Sequence, residues 1–297
     1  MRVVDADTVR SLVPLAAARD AVAAAFVALA DGEVVAPDEL AMVLGHGGEL
    51  HVKGAHLGGR YLAFKAASGG FPAGGNAGFT AVLGADTGRL VAILDDEGWL
   101  TEIRTAAASA VSARALARPD STSLAILGGG FQAAFQVAAL REAFELTSVR
   151  AWSRSASTRE RFAAENDAVP ATTVAEAVEG ADIVICCTPS REPLLSASML
   201  ASGTHVIAMG SDMVGKRELA TDVLEQSDLV VADSIAVTSR VGELAHVRDV
   251  RAVELGDVLS GRVAGRASPA QLTVSDHCGL GIQDAAMAQL VMEGLTP

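Results

Sequence analysis

The chain has 297 residues, 50% of them hydrophobic, which suffices for two cores; with aromatics at only 4%, those cores rest on Ala, Val, Leu and Ile. A net charge of −13 argues against a nucleic-acid surface or an anionic membrane surface, both of which need clustered Lys and Arg. Cys186, Cys187 and Cys278 form no CxxC pair, so neither a disulfide framework nor a zinc ribbon is expected.

The start, Met1-Arg-Val-Val-Asp-Ala-Asp, lacks the basic-then-apolar layout of a signal peptide, and the apolar stretch 14–30 is interrupted by Arg19 and Asp20. A soluble, cytoplasmic protein with no membrane partner is expected. Residues 7–30 read as one helix with Gly32 as its stop. Short β-like runs follow at 40–44, 50–53, 61–65, 79–83 and 90–94, separated by the turn signals His46-Gly-Gly, Gly58-Gly and Asp86-Thr-Gly88. This texture predicts an antiparallel or mixed sheet. His46, His51 and His56 share the Gly-rich region without metal-ligand spacing, so no metal is expected.

An Ala-rich helix is predicted over 101–117, and Pro119-Asp120-Ser121 breaks it. From there the rhythm is strand, Gly turn, helix, strand: apolar runs at 123–127, 147–152, 182–187, 204–209 and 228–232 alternate with helix-like sequence. Repeated βα units imply a parallel sheet with helices on both faces. Residues 279–293 form a last amphipathic helix, expected to return to the first domain. The predicted division is 1–118 with 279–297 against 119–278.

Leu127-Gly128-Gly129-Gly130-Phe131-Gln132-Ala133 directly follows a strand and opens a helix. In this GxGxxA form, Gly128 permits the tight turn, Gly130 lets backbone approach a pyrophosphate, and the small Ala133 lets helix pack on strand. The N–H groups at the helix start, around Phe131 and Gln132, then face the phosphates. The second domain therefore reads as a Rossmann dinucleotide-binding domain. After the second strand the sequence is Ala151-Trp152-Ser153-Arg154-Ser155, without the acid that binds NAD ribose hydroxyls. Ser153 and Arg154 suit a 2′-phosphate, so NADP(H) is the expected cofactor and NAD(H) the alternative. Thr188 and Ser190 follow the strand ending at Cys187 and suit the cofactor groove better than nucleophilic chemistry, since no GxSxG elbow accompanies them.

Several collinear motifs resemble the ornithine cyclodeaminase/μ-crystallin family: Asp86-Thr-Gly88, Ile103-Arg104-Thr105-Ala-Ala-Ala-Ser109, the Gly128 turn, Gly210-Ser-Asp212-x-x-Gly215-Lys216-x-Glu218-Leu219, and Gly279-Leu-Gly-Ile-Gln-Asp284. The resemblance implies an α/β chain, a doubly wound Rossmann domain plus an α+β substrate and dimerisation domain, acting as a homodimer on a small amino or imino acid. It implies that Lys65 contacts the substrate carboxylate near the reacting carbon, that Arg104 forks onto the same carboxylate, and that Thr80 is a weaker substrate contact. Thr105 would touch a cofactor phosphate, and Lys216 would lie near the cofactor. Asp212 would be the general acid/base, its bland alternative being a turn cap. The chain departs from the family pattern where cyclising members carry an Arg after an early Pro: here the sequence is Pro37-Asp38-Glu39. Val52-Lys53-Gly54 replaces a usual Met-Pro, and His277 stands at a common Ser position, so Glu39, Lys53 and His277 are expected to reshape the pocket. The leading expectation is an NADP(H)-dependent imino acid reductase or amino acid dehydrogenase. The alternatives are a cyclodeaminase that recycles its nicotinamide and a μ-crystallin-like binding protein.

Overall fold

The structure, a computed structural model, describes residues 1–45, 47–72 and 77–295. The chain divides into two compact units, Met1–Ala108 with Leu280–Pro297, and Ser109–Gly279.

The first unit opens with β1 (Arg2–Asp5), α1 (Ala6–Leu12) and α2 (Leu15–Ala30). The single helix expected over 7–30 is two helices bent by 76°, because Pro14 has no N–H to continue α1 and becomes the N-cap of α2. Asp5 caps α1 through the Thr8 N–H at 2.8 Å. Five strands follow: β2 (Leu40–Val43), β3 (Glu49–His56), β4 (Tyr61–Gly69), β5 (Ala77–Gly84) and β6 (Leu90–Asp95), then α3 (Trp99–Leu116). With β1 they form a six-stranded sheet in the order β1-β6-β5-β4-β3-β2, antiparallel except that β1 joins β6 in parallel. Among the described residues no single helix is long and apolar enough to cross a membrane.

The second unit holds β7 (Ser123–Leu127), α4 (Phe131–Ala143), β8 (Ser148–Trp152), α5 (Ala156–Glu165), β9 (Val169–Pro170), α6 (Val174–Val178), β10 (Ile183–Cys186) and β11 (His205–Ala208). It continues through α7 (Thr221–Glu225), β12 (Leu229–Ala232), α8 (Ile235–Val241), β13 (Ala252–Glu254), α9 (Leu255–Leu259) and β14 (Thr273–Asp276). The eight strands are all parallel in the order β13-β12-β14-β11-β10-β7-β8-β9. β10, β11 and β14 are buried along their whole length, as expected of strands covered on both faces. From β7 the chain runs outward through β8 and β9, then returns to β10 on the other side of β7. That reversal creates a crevice at the carboxyl ends of β7 and β10.

The division between units falls inside α3, earlier than the Pro119 break. The end of α3 belongs to the second unit: Leu116 O accepts from Thr273 Oγ1 at 3.1 Å and from Arg266 Nε at 2.6 Å. The chain re-enters the first unit at Leu280 as α10 (Gly281–Gly294), which packs on α2, β3 and β4. Its first residue has no room for a side chain, since a Cβ on Gly281 would stand 2.3 Å from Gly54 O.

Candidate active site

In the second unit a groove of about 290 Å³ lies at the crevice. Its floor is Gly128-Gly129-Gly130, its walls Trp152, Ser153, Arg154, Thr158 and Arg161 on one side and Cys187, Thr188, Pro189, Ser190 and Leu194 on the other. The glycines differ in their reasons. Gly128 has φ +141°, and a Cβ there would meet Cys187 Sγ at 2.7 Å and its carbonyl O at 2.8 Å. Gly130 is the N-cap of α4 with ordinary extended backbone (φ −86°), and a Cβ there would enter open space. A helix N-terminus without a side-chain cap, beside open space, fits a pyrophosphate, which the N–H groups and helix dipole at such an end favour. Arg154 and Arg161 line the groove beyond β8, and no carboxylate does among the described residues.

Of the residues expected at the cofactor, Gly128, Gly130, Ser153, Arg154 and Thr188 line this groove. Phe131 and Gln132 form the first turn of α4 without lining it; Phe131 is 65% exposed and meets Phe135 edge-on. Thr105 belongs to the first unit, where its hydroxyl donates to Thr101 O at 2.7 Å. Lys216 pairs with Asp212 Oδ1 at 2.7 Å.

That pair sits on the loop after β11. Gly210 opens the loop and has no space for a Cβ, which would stand 2.1 Å from Thr188 O. Fully buried Glu218 braces loop and groove wall together, accepting from Thr188 N (2.6 Å), Thr188 Oγ1 (2.7 Å) and Gly210 N (2.7 Å). Burial pushes its carboxyl up to about 8 against those three bonds. Ser211 Oγ closes the loop onto Lys216 O at 2.9 Å. The Asp212 side chain is 43% exposed, and its carboxylate bonds the Lys216 ammonium, so its partner is a cation and not a turn N–H. His277 follows β14 with both ring nitrogens lacking a hydrogen-bond partner among the described residues; burial holds it neutral, pushed down to about 3.

In the first unit the sheet register sets Lys53, Lys65, Thr80 and Leu94 in one row across β3, β4, β5 and β6. Asp284, one turn into α10, lies over the row: its Oδ1 takes Lys65 Nζ at 3.4 Å and Arg104 Nε at 3.1 Å. Arg104 Nη1 donates to Gln283 Oε1 at 3.0 Å, and its Nη2 bonds no described residue. Lys65 and Arg104 are only 4% and 6% exposed. Loss of hydration pushes Lys65 down to about 8; Asp284 opposes that shift, while Arg104 and Lys53 add to it. Asp96, which caps α3 through the Leu100 N–H at 2.7 Å, is pushed up to about 6 by burial, and burial raises Glu102 as well. The arrangement is a fixed pair of cations with unused donors, aimed by one shared carboxylate, suited to receive a carboxylate ligand.

Glu39 Oε2 takes Lys53 Nζ at 3.4 Å, and Glu39 Oε1 takes His51 Nδ1. His56 Nε2 meets Gly59 O at 3.0 Å, and His46 lies outside the described residues. Among the described residues no group of three or more His, Cys, Asp or Glu is placed to hold a metal ion. Sequence reasoning missed Asp284 and Gln283 as the anchors of Arg104, although the motif holding them was recognised. It also missed Arg161 and Thr158, whose three-residue helical spacing after the Ser155 cap was the available signal.

The family description ornithine cyclodeaminase/mu-crystallin matches residues 2–296. The chain belongs to this family. Its fold superposes on an archaeal alanine dehydrogenase dimer with bound NAD at a TM-score of 0.91, with 29% identity over 99% of this chain and 95% of that one. The Δ1-pyrroline-2-carboxylate reductase of Thermococcus litoralis, in complex with NADH and L-proline, gives 0.89 with 25% identity over 99% and 97%. The iminosuccinate reductase of Paracoccus denitrificans, in complex with NAD+, gives 0.89 with 30% identity over 99% and 96%. The family and α/β fold expected from the motifs are thus borne out.

Proposed function

We propose that the chain is an NADP(H)-dependent oxidoreductase acting at C2 of a small 2-imino or 2-amino acid. The observation that carries this reading is the buried Lys65–Asp284–Arg104 cluster, a carboxylate receptor in a chain that also bears a dinucleotide groove. In the reducing direction hydride adds to C2, the C=N π pair takes a proton at nitrogen, and the imine becomes an amine. The reduced nicotinamide is the hydride source. Lys65 and Arg104 Nη2 hold the substrate carboxylate and fix C2, while Asp284 keeps both cations aimed. Asp212, its side chain 43% exposed, relays the proton between solvent and the substrate nitrogen, passing it on in reduction and taking it back in oxidation, and Lys216 holds that carboxylate in place. The relatives with solved structures whose names are alanine dehydrogenase, pyrroline-2-carboxylate reductase and iminosuccinate reductase all act at such a carbon, which supports this chemistry.

The NADP(H) preference rests on Arg154 and Arg161 in a groove that no carboxylate lines among the described residues. NADPH is expected to bind more tightly than NADH by calorimetric titration, and the reverse order contradicts the preference. Asp212→Asn is expected to cut kcat about 100-fold or more, the usual worth of a positioned proton donor, with the NADPH Kd unchanged. Full turnover in that variant removes Asp212 from the proton step. Glu39 in place of the family's Arg and the absence of an acid after Trp152 weigh against cyclodeamination.

A homodimer is part of the reading. On the sheet face opposite Lys65, Leu40, Met42, Phe64 and Phe79 are 53%, 46%, 37% and 40% exposed, an apolar surface suited to a second copy. A monomer mass by light scattering at working concentration contradicts it.

A further inference from the structure

Lys53 and Lys65 stand directly opposite each other in the β3–β4 register. Like charges so placed destabilise a sheet unless anions attend them. Their side chains are 12% and 5% exposed, so water screens neither one well. Each has its own carboxylate at 3.4 Å, Glu39 for Lys53 and Asp284 for Lys65. The compensation is incomplete on the Lys65 side, because Asp284 also serves Arg104. On the Lys53 side Glu39 is shared with His51, whose other ring nitrogen faces Glu49 at 3.5 Å. The result is a second polar cluster one strand away from the first, built from a cation, an acid and an imidazole.

We propose that Lys53 anchors a second carboxylate, so that the substrate is a dicarboxylic 2-imino or 2-amino acid. This rests on the reading that Lys65 and Arg104 hold the first carboxylate. Neighbouring strands lie about 4.8 Å apart, so the two lysine stems rise at a spacing a short dicarboxylate bridges. When the second carboxylate arrives, Lys53 exchanges Glu39 for the ligand and stays paired, while Glu39 keeps His51. A buried cation that changes partners in this way avoids the penalty of standing alone. An apolar side chain at the same place would lie against Lys53 and Glu39 without satisfying either, and a site built around such polar groups rejects the analogue that lacks the matching group.

The test is calorimetric titration of the NADP+-saturated protein with 2-hydroxysuccinate and with 2-hydroxybutyrate, unreactive probes that share the first carboxylate and differ in the second. The wild type is expected to bind 2-hydroxysuccinate about 30-fold more tightly, the worth of one charge-assisted contact. Lys53→Met is expected to erase that difference while leaving 2-hydroxybutyrate affinity unchanged, which also shows that the variant is folded, and Lys53→Arg to restore most of it. Equal binding of both acids by the wild type overturns the proposal, as does a Lys53→Met variant that weakens both alike, since Lys53 would then serve the first carboxylate. The underlying reading fails separately: Lys65→Met would leave the affinity for 2-hydroxybutyrate intact.

Discussion

Lys65→Met is expected to lower kcat/KM for an imino acid substrate on the order of 100-fold, because truncating one partner of a buried charge pair costs about 3 kcal/mol. Lys65 is one of two cations on Asp284, and its loss leaves that carboxylate buried with Arg104 alone. The same lysine predicts a pH dependence. Its ammonium is held at about 8, so deprotonation falls within the range where the protein can be assayed. A neutral Lys65 no longer attracts a carboxylate, so affinity is full below pH 8 and is lost as pH rises above it. Inhibition by 2-hydroxybutyrate, whose own carboxylate does not titrate there, is expected to weaken by about tenfold per pH unit well above 8. In Lys65→Met the inhibition is weak and flat across that range. A wild-type profile flat to pH 10 would show that Lys65 is not a ligand to the carboxylate.

Gly130→Val and Gly128→Val, one residue apart from the same central glycine, are expected to fail in different ways. At Gly130 the new side chain enters open space from ordinary backbone, so the fold loses only about 1 kcal/mol through a poorer N-cap. The space it fills is where a pyrophosphate would meet the start of α4, and NADPH affinity is expected to fall on the order of 100-fold or more. At Gly128 the side chain would strike Cys187 from a backbone at φ +141°. Strain and overpacking together are expected to cost about 3 kcal/mol or more, seen as a large fall in Tm. Thermal melts and NADPH titration of both variants separate the effects. Normal NADPH binding by a folded Gly130→Val protein would remove this turn from the cofactor site.

The groove at the Gly128 turn was legible in the sequence because its determinants are local. A glycine triplet between an apolar strand and a helix fixes its own geometry, and Ser153-Arg154 follows the next strand within the same βα unit. The proposed carboxylate receptor was half legible. Lys65 and Arg104 stand in motifs, but the group that joins them is Asp284 on α10, far along the chain, and no periodicity reports a contact of that separation. The strands β1, β9, β13 and β14 escaped for another reason: each is two to four residues long and lacks the longer apolar run that marked the other short strands. Pro14 was visible, yet the apolar residues on both sides of it share a helical period, which masked the break between α1 and α2. Pro119 marked the end of α3 correctly, but the unit boundary lies within that helix, where packing of its last turns on Thr273 and Arg266 decides the matter.

On the proposed function, hydride passes net to C2 of an imino acid. Counting NADPH consumed against amino acid formed tests it most directly, with ornithine and catalytic NAD+ run in parallel and assayed for ammonia. One NADPH is expected to be oxidised per 2-amino acid produced, with no ammonia released from ornithine. Ammonia from ornithine with no net change in the cofactor, and no NADPH oxidation by any imino acid, would contradict it and make the chain a cyclodeaminase.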